Sequence, residues 1–193
     1  VNPEDRESGG LDITFQKPDS APVTGAAETF IEEISRMLPV RFIDTERLMF
    51  VSDTEKDRPV ITGYSREITQ MLGNPDDASG DLSQRIDLLT RTVNRRFLHK
   101  QFAVNGNDGF VVKIPSGKIL KPEQLSSGEQ HAVVLLYELL FKVQPDSLIL
   151  IDEPELSLHI YWQQQFIKDL QEILKLTGFD IVIATHSPHI IHD

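Results

Sequence analysis

The chain has 193 residues and a mass of 21.9 kDa, with 39% hydrophobic and 25% charged residues, which suits one compact domain or a large piece of a bigger one and excludes a small cross-linked scaffold. It has no cysteine, so a disulfide framework, thiol catalysis and a zinc ribbon are excluded together, in keeping with a reducing cytosol. A balance of 30 acidic against 19 basic residues gives a formal charge of -11, so any contact with a phosphate backbone must be local or come from another chain.

The start, Val1-Asn2-Pro3-Glu4-Asp5-Arg6, lacks the basic-then-apolar pattern of a signal peptide, and no apolar run approaches the ~20 residues of a membrane span. Residues 1–27 are rich in Pro, Gly, Ser and Asp around one short alternating piece at 11–15, which predicts a weak strand between loops. Over 28–38 the apolar residues Phe30, Ile31, Ile34, Met37 and Leu38 recur at helical spacing until Pro39 ends the helix, and 40–43 reads as a strand. The charge run at 52–58 and the turn-rich Gly73-Asn74-Pro75-Asp76-Asp77 belong on the surface.

Between residues 82 and 98, Leu82, Ile86, Leu89, Val93 and Phe97 step by three or four, which predicts an amphipathic helix. Its remaining positions include Arg85, Arg91, Arg95 and Arg96, a local basic face for nucleic acid or an acidic partner, or else a solvated face with ion pairs, the commoner use of such a run. Segments 101–104 and 110–114 alternate around Asn105-Gly106-Asn107-Asp108-Gly109 and predict a hairpin.

Leu125-Ser126-Ser127-Gly128-Glu129-Gln130 leads into an apolar helix over 131–143. Free N–H groups at such a helix start, with serine hydroxyls beside them, suit a phosphate; an ordinary serine cap explains Ser126 or Ser127 but not the whole hexad. Next, 147–151 is a buried strand running into Asp152-Glu153-Pro154, a helix covers about 160–176 and stops at Gly178, and a second buried strand at 180–184 delivers Thr185-His186-Ser187-Pro188. Strand, helix, strand in that order predicts a parallel crossover with its polar residues at the carboxyl ends, where α/β sheets bind ligands.

Two adjacent carboxylates at a strand end suit two roles: Asp152 holding a hydrated Mg²⁺, which takes one or two carboxylates plus phosphate oxygens, and Glu153 orienting or deprotonating a water. His186, just after a strand, is placed to donate to a γ-phosphate. A metal site from His186, His189 and His192 is set aside, because Pro188 breaks the helix that would align them and no fourth ligand has the spacing. No Gly-x-Ser-x-Gly elbow supports a serine hydrolase.

In this order the Leu-Ser-Ser-Gly-Glu-Gln hexad, the Leu-Ile-Leu-Ile-Asp-Glu-Pro strand, Glu-Leu-Ser-Leu-His and Thr-His-Ser resemble the signature, Walker B, D-loop and switch segments of an ABC-type ATPase head, across residues 125–187. The Pro-Glu-Leu-Ser-Leu-His form is more similar to the SMC, RecF and OLD-nuclease branch than to transporters, and within it to the ATPases of anti-phage systems, Septu-type and OLD-like, that work with nucleases. The resemblance implies an α/β, partial P-loop NTPase head with parallel core strands, flanking helices and a hairpin.

It implies ATP and Mg²⁺ as cofactors. Asp152 would be the metal ligand, Glu153 would act on water and His186 on the γ-phosphate. Ser126, Ser127, Gly128 and Gln130 would bind the nucleotide of a second head, and Ser157 and Leu158 would lie in the D-loop at a dimer interface. Its expected partners are a second copy or higher oligomer and a nuclease, separate or fused; nucleic acid at the arginine face belongs to the alternative of a DNA-repair or chromosome-associated ATPase, and an ATP-dependent assembly module with little turnover is a third reading.

One departure stands out: no Gly-x-x-x-x-Gly-Lys-Ser/Thr occurs, since Gly117-Lys118 follows Pro115-Ser116 and precedes Ile119. The expectation is therefore the later portion of a longer cytoplasmic ATPase, inactive alone. Residues 1–80 would be an irregular or helical part of an insertion or N-terminal lobe, 81–124 the helix and hairpin leading to the hexad, and 125–193 the signature-to-switch segment.

Overall fold

The computed structural model describes residues 39–44, 59–74 and 80–191. The strand expected at 11–15, the helix expected over 28–38, the charge run at 52–58, part of the turn at 73–77 and His192 lie outside the described residues.

Three parallel strands form the central sheet in the order β1 (Val40–Asp44), β5 (Leu148–Asp152), β6 (Asp180–Ala184). The middle strand is the apolar Leu-Ile-Leu-Ile run, as expected of a strand flanked on both sides. Register aligns Ile43 with Ile151 and Ile183, and Asp44 with Asp152 and Ala184, so the carboxyl ends finish level. Ile43, Ile149 and Ile151 are buried. The opposite face carries Phe42, Leu150 and Val182 in register, with Val182 55% exposed.

A second, antiparallel sheet is made of β2 (Gln101–Asn105), β3 (Gly109–Lys113) and a short β4 (Ile119–Leu120). The Asn105 side-chain oxygen accepts from the backbone N–H groups of Asn107 (3.0 Å) and Asp108 (2.6 Å), folding the turn the sequence predicts. Gly109 then takes φ 67°, and a Cβ there would sit 2.0 Å from the Ser65 carbonyl oxygen, so only glycine fits. Ser65 lies on α1 (Val60–Gly73), and its Oγ accepts from the Phe110 N–H at 2.8 Å, joining hairpin to helix. Sequence reasoning passed over α1, although Ile61, Tyr64 and Ile68 carry the helical spacing.

Helix α2 (Gly80–Arg96) buries Leu88, Leu89, Thr92, Val93 and Arg96, and Asn94 exchanges two hydrogen bonds of 2.8 Å with the Phe102 backbone. Helix α3 (Ser127–Tyr137) is buried throughout 131–137, the mark of a helix enclosed on all sides. It passes into a π-helical turn at Glu138–Lys142 rather than continuing as α-helix to 143. Tyr137 stacks between Tyr64 (4.4 Å) and Phe141 (4.6 Å), linking α1 to this turn.

Helix α4 (Ile160–Thr177) is capped by Gly178 at φ 70°, where glycine enters the left-handed region without a Cβ penalty. The amphipathic face of α4 buries Phe166, Leu170 and Ile173. A last turn of helix, α5 (Pro188–Ile191), closes the described chain. The α/β class, parallel core strands, flanking helices and hairpin all follow the expectation.

Candidate active site

The carboxyl end of the parallel sheet gathers the acidic pair. Asp152 is the last residue of β5 and is exposed. Glu153 follows in the left-handed region, φ 45° and ψ 54°, a conformation costly for a residue with a Cβ, and its N–H donates to the Ala184 carbonyl at 2.8 Å. This bend is where the backbone leaves the strand, so the two carboxylates need not follow strand alternation. His186 stands opposite, with Nε2 3.4 Å from the Glu153 Oε1 and the side chain 89% exposed. The structure thus brings Glu153 and His186 together beside Asp152.

A residue that sequence reasoning left without a role builds this corner. Glu155 lies in the 3-10 turn Pro154–Ser157, and its Oε2 accepts from the Thr185 hydroxyl at 2.6 Å, while Oε1 accepts from the N–H groups of His186 (2.7 Å) and Ser187 (3.0 Å). Burial pushes its carboxyl up, but these hydrogen bonds outweigh burial and hold it below the ordinary glutamate value. Gln163 adds a second tie, accepting from the Ser187 hydroxyl at 2.6 Å and donating to the carbonyls of Leu158 (2.9 Å) and Glu155 (3.3 Å).

The Ser-Gly hexad forms a separate cluster. Ser126 caps α3 in a capping box: its Oγ accepts from the Glu129 N–H at 3.4 Å, and the Glu129 Oε2 accepts from the Ser126 N–H and hydroxyl, each at 2.9 Å. Lys100 holds the same carboxylate, with Nζ 2.7 Å from both oxygens. Burial works to raise the Glu129 pKa, yet the Lys100 contact and the Ser126 hydrogen bonds bring it below its ordinary value. Gln130 turns back instead, donating to the Leu125 carbonyl at 2.9 Å.

Ser126 and Ser127 are exposed, and with Gly128 they line a mostly apolar cavity of about 710 Å³ whose other wall includes Leu156, Leu158 and Trp162. The 154–158 turn therefore stands between the two clusters, with Glu155 tied to the His186 segment and Leu158 on the cavity. Ser157 lies in that turn by its backbone. A second cavity, about 660 Å³ between α2 and α4, is lined by Gln84, Asp87, Arg91 and Glu172 and holds neither cluster.

The α2 arginines are engaged within the fold. Arg96 is 4% exposed and lies 2.6 Å from Asp169, itself 2% exposed; Arg95 reaches Asp169 at 2.8 Å and Glu172 at 2.9 Å. Burial lowers the Arg96 pKa and raises that of Asp169, the directions expected when charges leave water. Arg91 approaches Glu172 at 3.8 Å, and Arg85 pairs with Asp81 at 2.8 Å and also donates to the Leu140 carbonyl. The structure therefore favours the ion-pair use of this face.

The sequence of residues 32–191 matches the model of the AAA ATPase domain family. The chain belongs to that family. Among relatives of this AAA ATPase domain, the Retron Ec83 probable ATPase of Escherichia coli is 35% identical over 80 residues, 36% of this chain and 14% of that protein. Protein ea59 of Escherichia phage lambda is 38% identical over 72 residues, 36% of this chain and 13% of that protein. The AAA ATPase domain thus spans about one seventh of the length of these curated relatives. Among solved structures, the SMC head domain from Thermotoga maritima is similar at 20% identity with a TM-score of 0.44, covering 78% of this chain and 45% of that one.

The donor set fits a phosphate-bound, hydrated Mg²⁺ better than an all-protein metal cage. Asp152 is exposed at the strand end, and among the described residues no group of three His, Cys, Asp or Glu side chains could hold a metal. Among the described residues, too, no helix of this AAA ATPase domain is long and apolar enough to cross a membrane.

Proposed function

We propose that this chain supplies the hydrolytic corner and the nucleotide-facing helix cap of a cytoplasmic ATPase whose complete form closes two heads on ATP. The observation that carries the reading is the approach of His186 to Glu153, 3.4 Å apart at the carboxyl end of a parallel sheet and next to Asp152, in a chain of the AAA ATPase domain family. Asp152 would hold Mg²⁺, which neutralises charge on the phosphates when bound. Glu153 would orient a water and take its proton as the water oxygen bonds to the γ-phosphorus and the bond to the bridging oxygen breaks, giving ADP and phosphate. His186, nearly all exposed, would donate to a γ-phosphate oxygen.

Ser126, Ser127 and Gly128 would meet the triphosphate held by a second copy, using the N–H groups and positive end of α3. Gln130 would act there through the backbone it pins at Leu125. The turn that carries Ser157 and Leu158 would lie at the boundary with the second copy, beside the cavity shared with the cap. Because the 193 residues contain no phosphate-cradling Gly-x-x-x-x-Gly-Lys-Ser/Thr, these residues alone would turn over little ATP, and the full-length protein would be the active species.

The retron-named relative, a probable ATPase, supports the ATPase reading, and control of an effector, a nuclease in defence, rests on the resemblance to anti-phage ATPases. The alternative of a DNA-repair or chromosome-associated ATPase contacting DNA through Arg95 and Arg96 has less support, because Asp169 and Glu172 already engage those arginines. The test is Glu153→Gln in the full-length protein: turnover should fall about 100-fold or more while nucleotide is still bound. Unchanged hydrolysis would overturn the role of Glu153, and biological activity that survives the loss of turnover would favour an assembly module.

A further inference from the structure

We propose that Glu155 and Gln163 are positioning residues for His186, acting through the backbone and hydroxyls of 185–187; the inference rests on the ATPase reading and adds two residues to it. The argument starts from exposure. A side chain that is 89% exposed has almost no packing to fix it, so what the fold fixes at His186 is its backbone, which sets the Cα–Cβ direction and limits the rotamers from which the imidazole can reach Glu153. That backbone is held by one carboxylate. Glu155 accepts from the Thr185 hydroxyl and from the N–H groups of both His186 and Ser187, at 2.6 to 3.0 Å. A carboxylate accepts without donating, which matches three converging donors, and charge-assisted bonds of this kind are stronger than neutral ones.

Gln163 completes the tie from α4. Its side-chain oxygen accepts a hydrogen bond from the Ser187 hydroxyl at 2.6 Å, and its amide N–H groups donate to the Leu158 and Glu155 carbonyls. The same two side chains therefore fasten the 154–158 turn and the 185–187 turn to one another. With both ties made, His186 Nε2 rests 3.4 Å from Glu153; the Glu153 N–H bond to the Ala184 carbonyl fixes where the 185–187 turn begins, and the two side chains fix the course it takes from there. Glu155 meets His186 at its backbone N–H, so its effect passes through the position of His186.

The substitutions separate positioning from mere support. Glu155→Ala leaves the Thr185 hydroxyl and the His186 N–H without their acceptor, while the Ser187 N–H keeps the Thr185 hydroxyl oxygen at 3.0 Å. Glu155→Gln keeps an oxygen for the two N–H groups and presents an amide to the Thr185 hydroxyl, which can accept, so it should rescue. In the full-length protein, Glu155→Ala should lower kcat for ATP about 10-fold to 100-fold with KM within about threefold, while Glu155→Gln stays within about threefold of wild type in both. Adding Glu155→Ala to His186→Ala should slow the enzyme no further, because one acts through the other.

Amide hydrogen exchange gives a readout that needs no turnover: protection at His186 should fall in Glu155→Ala and persist in Glu155→Gln, with thermal melts showing both folded. Wild-type kcat in Glu155→Ala, multiplied losses in the double variant, or unchanged protection would each overturn the proposal. If Glu153→Gln leaves hydrolysis intact, the role given to Glu153 has failed by itself; if the wild-type full-length protein hydrolyses no ATP, the ATPase reading has failed; in either case the exchange data still decide whether Glu155 holds the turn.

Discussion

Replacing Asp169 with Ala removes the only carboxylate close to the buried Arg96 among the ion pairs described. Arg96 and Asp169 are 4% and 2% exposed, and the Nε and Nη1 of Arg96 have no hydrogen-bond partner among the described residues, so little remains to compensate the guanidinium. Breaking a buried pair by removing one member costs about 3–5 kcal/mol. Arg95 adds little, since its side chain is 43% exposed and keeps Glu172 at 2.9 Å, a contact screened by water. The expected loss is about 4 kcal/mol, or a fall in melting temperature of about 10 °C for a domain of this size. Urea and thermal unfolding followed by circular dichroism read it directly. Glu172→Ala, the exposed control, should cost under about 1 kcal/mol. Arg96→Met combined with Asp169→Leu should recover most of the loss, since apolar groups can replace a buried pair at little cost. A loss in Asp169→Ala no larger than in Glu172→Ala would refute the reasoning.

Two further outcomes follow from buried features. Burial pushes the His131 pKa down to about 4, and Nε2 has no partner among the described residues, so the unfolded chain binds the proton more readily than the folded one. Stability from this neutral histidine is complete above its unfolded pKa of about 6.5 and is lost as pH falls toward 4, by about 3 kcal/mol, so His131→Leu should show that much less acid destabilisation in urea titrations between pH 7 and pH 4. Gly109→Ala forces a Cβ against the Ser65 carbonyl at φ 67°, and should cost about 2–4 kcal/mol and loosen the hairpin from α1, read as faster exchange of the Phe110 amide.

The parallel sheet was legible because a central strand flanked on both sides must be apolar along its length, and Leu148 to Ile151 say so locally; the strand at 180–184 was legible as a strand but not as buried throughout, since it lies at the edge of the described sheet and leaves Val182 55% exposed. The helix between them was legible from period and from Gly178. The meeting of Glu153 with His186 was inferable only from both standing at carboxyl ends of neighbouring strands. Glu155 was not legible as a clamp: its three donors come from residues about 30 positions away, and nothing in Pro-Glu-Leu-Ser-Leu-His marks the side chain's direction. Arg96 looked like any arginine of a charged helix face, because its partner lies on α4, and only the packing of α2 on α4 puts the pair out of water. The π-helical turn at Glu138–Lys142 likewise follows an unbroken apolar pattern that ordinary α-helix would satisfy equally well.

The proposal that two copies share each pocket is tested most directly by mixing two forms of the full-length protein, Glu153→Gln and Ser126→Arg. Each alone should be close to inactive, since every pocket in the pure forms lacks either the carboxylate or the serine cap. In a mixed pair, one pocket joins an intact Glu153 to an intact Ser126. Random pairing makes half the dimers mixed with one of two pockets whole, so ATPase activity should return to about a quarter of wild type. A mixture no more active than its components would contradict the account.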